Sequence, residues 1–217
     1  MREDRETATH TRAGEVLVGT SGWHYRHWLG PFYPHDLSTD EMLGYYAGRF
    51  RTVEVNYTFY HLPDAGAVAA WHDAVGEGFT FAVKASRYLT HMKKLKDPEQ
   101  PVKMLFERLA PLRTKLGPIL FQLPPRWHRN AERLAGLLAI LPVGRRYAFE
   151  FRDPTWFAPE VYDLLAEHGA HGELLHGNVG TVDRRQLRRQ VADEAGVHAA
   201  RVGHAGHFDT ALLGQVR

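Results

Sequence analysis

The sequence predicts an α/β fold of the TIM-barrel type, in which about five βα units are present and strands six to eight are missing or replaced. Strands and helices alternate five times between residues 15 and 170, and the strands follow one another at intervals of roughly 30 residues. Several strands have one polar or small face, whereas strands of a doubly wound sheet are apolar on both faces. No dinucleotide fingerprint follows the first strand, because Gly19-Thr20-Ser21-Gly22 leads into aromatic residues.

The predicted strands alternate between apolar and polar residues. In the second strand, Val53 and Val55 share one face, and Glu54 and Asn56 share the other, because successive side chains of a strand point to opposite sides. Helices connect consecutive strands, so the strands are expected to be parallel with right-handed crossovers. The predicted strands are residues 15–19, 52–56, 79–84, 119–123 and 146–152.

The predicted helices are recognised mainly by their capping residues. Ser38 and Glu41 have the capping-box spacing, and Asp64 and Asn130 are suited to cap the second and fourth helices. Pro159 suits the first turn of the fifth helix. The predicted helices are residues 38–50, 64–75, 98–116, 130–141 and 159–168.

The chain divides into three predicted regions. Residues 1–14 are charged and lack periodicity, which predicts a disordered leader. Residues 15–170 form the barrel portion. Residues 171–217 are an atypical tail, frameshifted or disordered: of the 25 aromatic residues only Phe208 lies there, and no further strand is predicted. A complete barrel of this type usually needs about 250 residues, so we expect an open barrel with unpaired first and fifth strands.

The composition indicates a cytoplasmic protein with no membrane partner. The formal net charge is +2, the chain has no cysteine, and its start is charged rather than apolar. Disulfides, thiolate metal sites and a cysteine nucleophile are therefore excluded. Oligomeric state is left open.

Polar residues at the ends of the strands form the candidate catalytic site, because barrel active sites lie at the carboxyl ends of the strands. Carboxylates, cations and amides together can perform acid–base chemistry with charge stabilisation. Glu54 and Glu150 are the predicted acid and base. The alternative is an internal salt-bridge network, Glu54–Lys84 and Glu150–Arg152, that only fills the barrel. The remaining predicted site residues are Lys84 and Arg152 as charge stabilisers, and Asn56 and Gln122 as orienters.

Two loop features predict ligand contacts. The aromatic residues Trp23, Tyr25, Tyr57 and Tyr60 could stack on a sugar ring or a base, or form a hydrophobic lid with no ligand. His91 lies in a lysine-rich loop that could steer an anionic substrate or a nucleic-acid backbone, or could be merely solvated.

No cofactor and no metal site are predicted, since no histidine pair has metal-ligand spacing on a strand. The alternative is a divalent ion held by histidines and carboxylates that converge from separate loops. Its candidate ligands are His24, His61, His91, Glu54 and Glu150.

The motifs together resemble the domain-of-unknown-function 72 (YecE-like) family over residues 16–170, and the tail does not match. This resemblance implies a TIM-barrel fold and supplies no reaction. It adds Trp156 to the candidate substrate-binding residues. The motifs are Gly19-Thr20-Ser21-Gly22-Trp23, Val53-Glu54-Val55-Asn56, Lys84-Ala85-Ser86-Arg87, Phe121-Gln122-Leu123-Pro124-Pro125 and Glu150-Phe151-Arg152 with Trp156-Phe157.

The functional prediction is an enzyme, a hydrolase or an isomerase or lyase, that performs acid–base chemistry on a small polar substrate containing a sugar or a phosphate. One alternative is a protein that binds nucleic acid or processes phosphodiesters. Another is a non-functional truncated fragment.

Overall fold

The computed structural model describes residues 16–170 and a strand at 212–214, and a four-stranded parallel sheet forms its centre. The sheet order, β2-β3-β4-β5, follows the order of the chain. The predicted parallel arrangement is confirmed in all three strand pairs. The strands are β2 (Thr52–Val55), β3 (Thr80–Lys84), β4 (Leu116–Gln122) and β5 (Tyr147–Glu150).

The first strand, β1 (Val16–Val18), leads into a segment that pairs in parallel with β2. The backbone N–H of Glu54 donates to the carbonyl oxygen of Thr20 at 2.9 Å, and the N–H of Gly22 donates to the carbonyl oxygen of Glu54 at 2.8 Å. These bonds place the loop after β1 at the carboxyl end of β2.

The strand β6 (Leu212–Gly214) pairs antiparallel with β1. It lies in the tail, where no strand was predicted, and β1 is therefore not the unpaired strand that we expected. The reason for the miss is its length: a strand of three residues is too short to show an alternating pattern.

Six α-helices accompany the strands in the described part of the chain. The predicted caps are confirmed: Asp64 accepts from the N–H of Ala67 at 2.8 Å, and Asn130 accepts from the N–H of Arg133 at 2.9 Å. The capping box of Ser38 and Glu41 is also present. The helices are α1 (Met42–Ala47), α2 (Tyr57–Tyr60), α3 (Ala65–Asp73), α4 (Glu99–Leu109), α5 (Ala131–Ile140) and α6 (Pro159–Glu167).

The predicted helix at 98–116 differs from the observed structure. The α-helix ends at Leu109, and a 3₁₀ segment, Ala110–Lys115, follows it. Arg113 has a φ of +51°, so the helical path is broken before β4 begins at Leu116. Pro111 lacks a backbone N–H and cannot continue the α-helical bonding pattern, which explains the early end.

The apolar face of the sheet packs into the core. Val53 lies beside Phe81, and Phe121 lies beside Phe149, and all four side chains are fully buried. The rings of Phe121 and Phe149 stack with centroids 5.1 Å apart. The opposite face is therefore the one that carries the polar residues. Within residues 16–170 and 212–214, no helix is both long and apolar enough to cross a membrane.

Candidate functional site at the carboxyl ends of the strands

The strand registers bring the polar residues of neighbouring strands together. Gln122 of β4 lies opposite Glu150 of β5, and Lys84 at the end of β3 lies opposite Leu120 of β4. Glu54 of β2 lies opposite Ala82 of β3. Because the strands are parallel, these side chains share one face near the carboxyl edge of the sheet. The predicted faces are thus those that the structure shows.

Glu150 is buried and held at both oxygens. The side-chain amide of Gln122 donates to its Oε2 at 2.6 Å, and Nε of Arg152 donates to its Oε1 at 2.6 Å. The predicted Glu150–Arg152 ion pair is therefore present. Two donors fix the orientation of this carboxylate, and one of them is a cation, which makes that bond stronger than a neutral one.

Glu54 is also buried and is held in a different way. Its Oε1 accepts from the hydroxyl of Ser21 at 3.1 Å, and the side-chain amide of Asn56 donates to the same hydroxyl oxygen. No donor to its Oε2 is found among the residues that the structure describes. One oxygen of Glu54 is thus left for other contacts.

Ser21 is a site residue that the sequence did not reveal. Its turn, Gly19-Thr20-Ser21-Gly22, lacks the strand–turn–helix setting of a nucleophile elbow. Its contact with Glu54 depends on the pairing of the β1 loop with β2, which brings together residues 33 positions apart. No local pattern carries that information.

Lys84 is half-buried between the two carboxylates. Burial lowers the pKa of its ammonium group below 10.5, and the charge of Arg152 acts in the same direction, while Glu54 and Glu150 oppose the shift. Neither carboxylate is within 4 Å, so among the described residues the predicted Glu54–Lys84 ion pair is not formed. The ammonium nitrogen instead lies 5.1 Å from the centroid of the Phe59 ring.

His91 joins the same cluster from the loop after β3. Burial lowers the pKa of its imidazole below 6.5, and the charges of Arg152, Arg87 and Lys84 lower it further. Its ring lies edge-on to Phe59, with centroids 5.0 Å apart, and its Nδ1 is 2.9 Å from the hydroxyl oxygen of Thr90. The structure thus places His91 beside the strand-end residues, as the sequence suggested.

Three of the predicted aromatic residues line a pocket next to this cluster. Trp23, Tyr25 and Tyr57 border a cavity of about 320 Å³ beside the end of β2. Trp71 of α3 completes the aromatic wall of this cavity. The sequence did not indicate this role, because a tryptophan within a predicted helix is expected to pack against the core. Tyr60 is 68% exposed and does not border the cavity.

Trp156 does not lie where a ligand could touch it. Its side chain is fully buried, its ring stacks on Phe151 at 5.1 Å, and its indole N–H donates to the carbonyl oxygen of Trp127 at 2.7 Å. The expectation that it contacts substrate is corrected, because a side chain with no accessible surface serves packing instead.

The alternative of a metal site held by convergent histidines stays a prediction, and its candidate ligands all lie within residues 16–170. No group of three or more histidine, aspartate or glutamate side chains is close enough there to hold an ion. His91 is adjacent to Lys84 and Arg152, whose positive charges disfavour a bound cation.

The comparison with protein families agrees with these motifs. The family model described as "Protein of unknown function DUF72" matches residues 17–197, and the chain belongs to this family. The predicted resemblance is confirmed. The match continues beyond residue 170, so the expectation that the tail does not match is wrong for residues 171–197.

Two bacterial relatives are similar over most of this chain. The UPF0759 protein YecE of Escherichia coli K12 is 29% identical over 189 residues, which cover 86% of this chain and 62% of YecE. The UPF0759 protein YunF of Bacillus subtilis 168 is 27% identical over 191 residues, which cover 78% of this chain and 65% of YunF. The chain therefore spans less than two thirds of the length of these relatives.

Two crystal structures of DUF72 family proteins are similar in fold. The protein from Thermotoga maritima aligns with a TM-score of 0.63 and 31% identity over 72% of this chain and 63% of that protein. The protein from Enterococcus faecalis V583 aligns with a TM-score of 0.59 and 20% identity over 72% of this chain and 59% of that protein. The second similarity shows the fold alone.

Proposed function

We propose that the polar cluster at the strand ends is the active site of an enzyme that performs acid–base chemistry on a small anionic or sugar-containing substrate. The observation that carries the proposal is Lys84, a half-buried cation whose pKa is lowered beside two buried carboxylates. Perturbed titratable groups concentrate at functional sites, since packing alone does not require them. Hydrolysis and isomerisation or elimination are the reaction classes that such a set can support.

The contacts divide the roles of the two glutamates. Glu150 is held by two donors, so it fixes Arg152 and provides negative charge near Lys84. Glu54 has one oxygen without a donor among the described residues, so it is the better candidate for proton transfer. Lys84 and Arg152 stabilise negative charge on the substrate, and Asn56 and Gln122 orient the two carboxylates.

The fold that presents this site is, in our proposal, part of a (β/α)₈ barrel. The parallel order of β2 to β5 and the pairing of the β1 loop with β2 support it, because these are consecutive neighbours in such a barrel. We place the protein in the cytoplasm, as the composition predicts, and no cofactor forms part of the proposed mechanism.

The proposal is tested with phosphate-bearing probes. Ribose 5-phosphate and unphosphorylated ribose are titrated by calorimetry against the full chain. Ribose 5-phosphate is expected to bind, and Lys84→Met is expected to weaken its affinity about tenfold or more. Arg108→Met removes an exposed cation on α4 and is expected to leave the affinity unchanged. Equal weakening by both variants, or no binding, would count against the proposed site.

Turnover is sought separately. A mixture of sugar phosphates is incubated with the protein and followed by ³¹P NMR. The wild-type protein is expected to convert at least one component, and Glu54→Gln is expected to stop the conversion while the thermal unfolding transition is retained. Conversion that persists in Glu54→Gln would remove Glu54 from the mechanism.

A second candidate function, binding to a nucleic-acid backbone, is favoured by the loop after β3. Arg87, Lys93 and Lys96 lie in the same segment as the exposed Tyr88, and Nζ of Lys93 is 5.9 Å from the centroid of its ring. An exposed aromatic ring among cations is suited to single-stranded nucleic acid. Binding to single-stranded DNA should then weaken steeply between low and moderate salt, since phosphate contacts release counterions. A salt-independent affinity would reject this candidate.

A further inference from the structure

Asn56, a lining residue of the aromatic pocket beside β2, carries an unsatisfied hydrogen-bonding atom. Asn56 borders the cavity, and its Oδ1 is buried without any partner in the described structure. A buried carbonyl oxygen without a partner is rare in folded proteins, and it is usually matched by a ligand or an ordered water. The Oδ1 atom of Asn56 can therefore accept a hydrogen bond from a ligand or a water molecule.

The orientation of the Asn56 amide follows from its neighbours. The hydroxyl of Ser21 has one proton, and the carboxylate of Glu54 can only accept it. Ser21 must then accept from the amide nitrogen of Asn56. The free end of the amide is consequently the oxygen, so the unpartnered group of Asn56 is an acceptor rather than a donor.

The rest of the lining is mainly aromatic and apolar. Trp23 and Trp71 meet edge to face with centroids 5.5 Å apart, which leaves ring surface available for stacking. A cavity of about 320 Å³ lies at the lower end of the usual range for small-molecule pockets, which suits a single ring system. Val55 of β2 and Ala67 of α3 supply the aliphatic part of the lining.

We propose that this pocket binds a planar heterocycle that bears an N–H group, such as a nucleobase, and that Asn56 selects it by accepting that N–H. A sugar ring fits less well, because its hydroxyl groups point outward on every edge and would need more polar partners than this lining supplies. A flat ring requires stacking surface on its faces and one or two polar partners at its edge.

The pocket meets the proposed active site at Asn56, and this inference rests on that proposed function. Asn56 borders the pocket and connects through Ser21 to Glu54, whose charge acts on Lys84. A ring held in the pocket would place an attached sugar or phosphate towards these groups. The substrate class that follows is a nucleoside or nucleotide, and Asn56 acts as a specificity-determining residue.

The test measures binding of adenosine, guanosine, cytidine and uridine to the full chain by saturation-transfer difference NMR, with methyl glucoside as the non-aromatic comparison. At least one nucleoside is expected to bind, with the strongest saturation on its base protons. Methyl glucoside is expected not to bind. Absence of binding by all four nucleosides, or saturation confined to the sugar protons, would overturn the proposal.

Variants locate the binding. Asn56→Leu should lower the affinity for the most tightly bound nucleoside about tenfold, which corresponds to the loss of one hydrogen bond. Ala67→Leu fills the pocket from α3 and leaves the Asn56 amide in place. It should lower the nucleoside affinity at least as much. Ala70→Leu, an exposed change on the same helix, is the matched control and should have no effect.

Two further outcomes are decisive. If Asn56→Leu shows no unfolding transition by circular dichroism, the test rests on Ala67→Leu. An unchanged nucleoside affinity in Ala67→Leu would then reject the pocket as the binding site. If no nucleoside binds while ribose 5-phosphate binds in a Lys84-dependent way, the aromatic pocket is not a nucleobase-binding site. The proposed active site is then still supported.

Discussion

The hydrogen bond between Gln122 and Glu150 gives the sharpest test of whether the cluster is preorganised. Both side chains are buried, and the amide donates to the carboxylate at 2.6 Å. Gln122→Leu keeps a side chain of similar size and removes the donor. Because a hydrogen bond to a charged group contributes about 1.5–3 kcal/mol, we expect the free energy of unfolding to fall by that amount.

Urea unfolding followed by circular dichroism measures this loss. With a denaturant slope of about 2 kcal/mol per molar, the midpoint should fall by about 1 M while the slope stays unchanged. Gln100→Leu is the matched control: Gln100 is exposed on α4, so its replacement should change the unfolding free energy by no more than about 0.5 kcal/mol.

A double-mutant cycle with Glu150→Gln separates the pair from its surroundings. We expect the two substitutions to be coupled by about 1 kcal/mol or more, since the residues are in direct contact. The reasoning is refuted if Gln122→Leu costs no more than Gln100→Leu. The amide would then contribute nothing to holding Glu150, and the site would not be preorganised by this contact.

Two further predictions concern backbone packing and pH. Gly19→Ala would place a Cβ atom 2.2 Å from the backbone oxygen of Thr52, so we expect a loss of about 3 kcal/mol or more in urea unfolding. Gly136→Ala in α5 meets no atom within 4 Å and should instead add about 0.5–1 kcal/mol. The folded-state pKa of His91 lies below 6.5, so the unfolded chain binds its proton first and stability should fall as pH drops from 6.5 through the lowered pKa. His91→Gln should reduce this fall, as measured by unfolding at a series of pH values.

The controls for these predictions are direct. An equal effect of Gly19→Ala and Gly136→Ala would mean that the approach to Thr52 does not constrain the strand. For the pH series, His35→Gln, which replaces an exposed histidine, is the matched control. A pH dependence that His91→Gln and His35→Gln change equally would contradict the role of burial at His91.

Periodicity made the faces of the strands predictable. In β2, β4 and β5, residues at alternate positions separate into buried apolar side chains and the polar side chains of the site. Glu54, Gln122 and Glu150 could therefore be assigned to one surface before their contacts were known. The parallel order followed from the helices that separate the strands.

The contacts between loops were not predictable in the same way. Ser21 joins the site through pairing with a strand 33 residues away, and Trp71 reaches the pocket from a helix. Trp156 shows the opposite error: the family resemblance suggested a ligand contact, but tertiary packing buries the side chain against Trp127. Such positions depend on long-range geometry, which one sequence does not encode as a local pattern.

The titration of Lys84 in the presence and absence of an anion tests the central claim most directly. The six lysines of the chain are labelled with ¹³C, and the Lys84 signal is assigned by its loss in Lys84→Met. We predict that Lys84 titrates below 10.5 in the free protein and that ribose 5-phosphate raises its pKa, because a bound anion favours the charged ammonium. A Lys84 that titrates with the exposed lysines and does not respond to the probe would contradict the proposed active site.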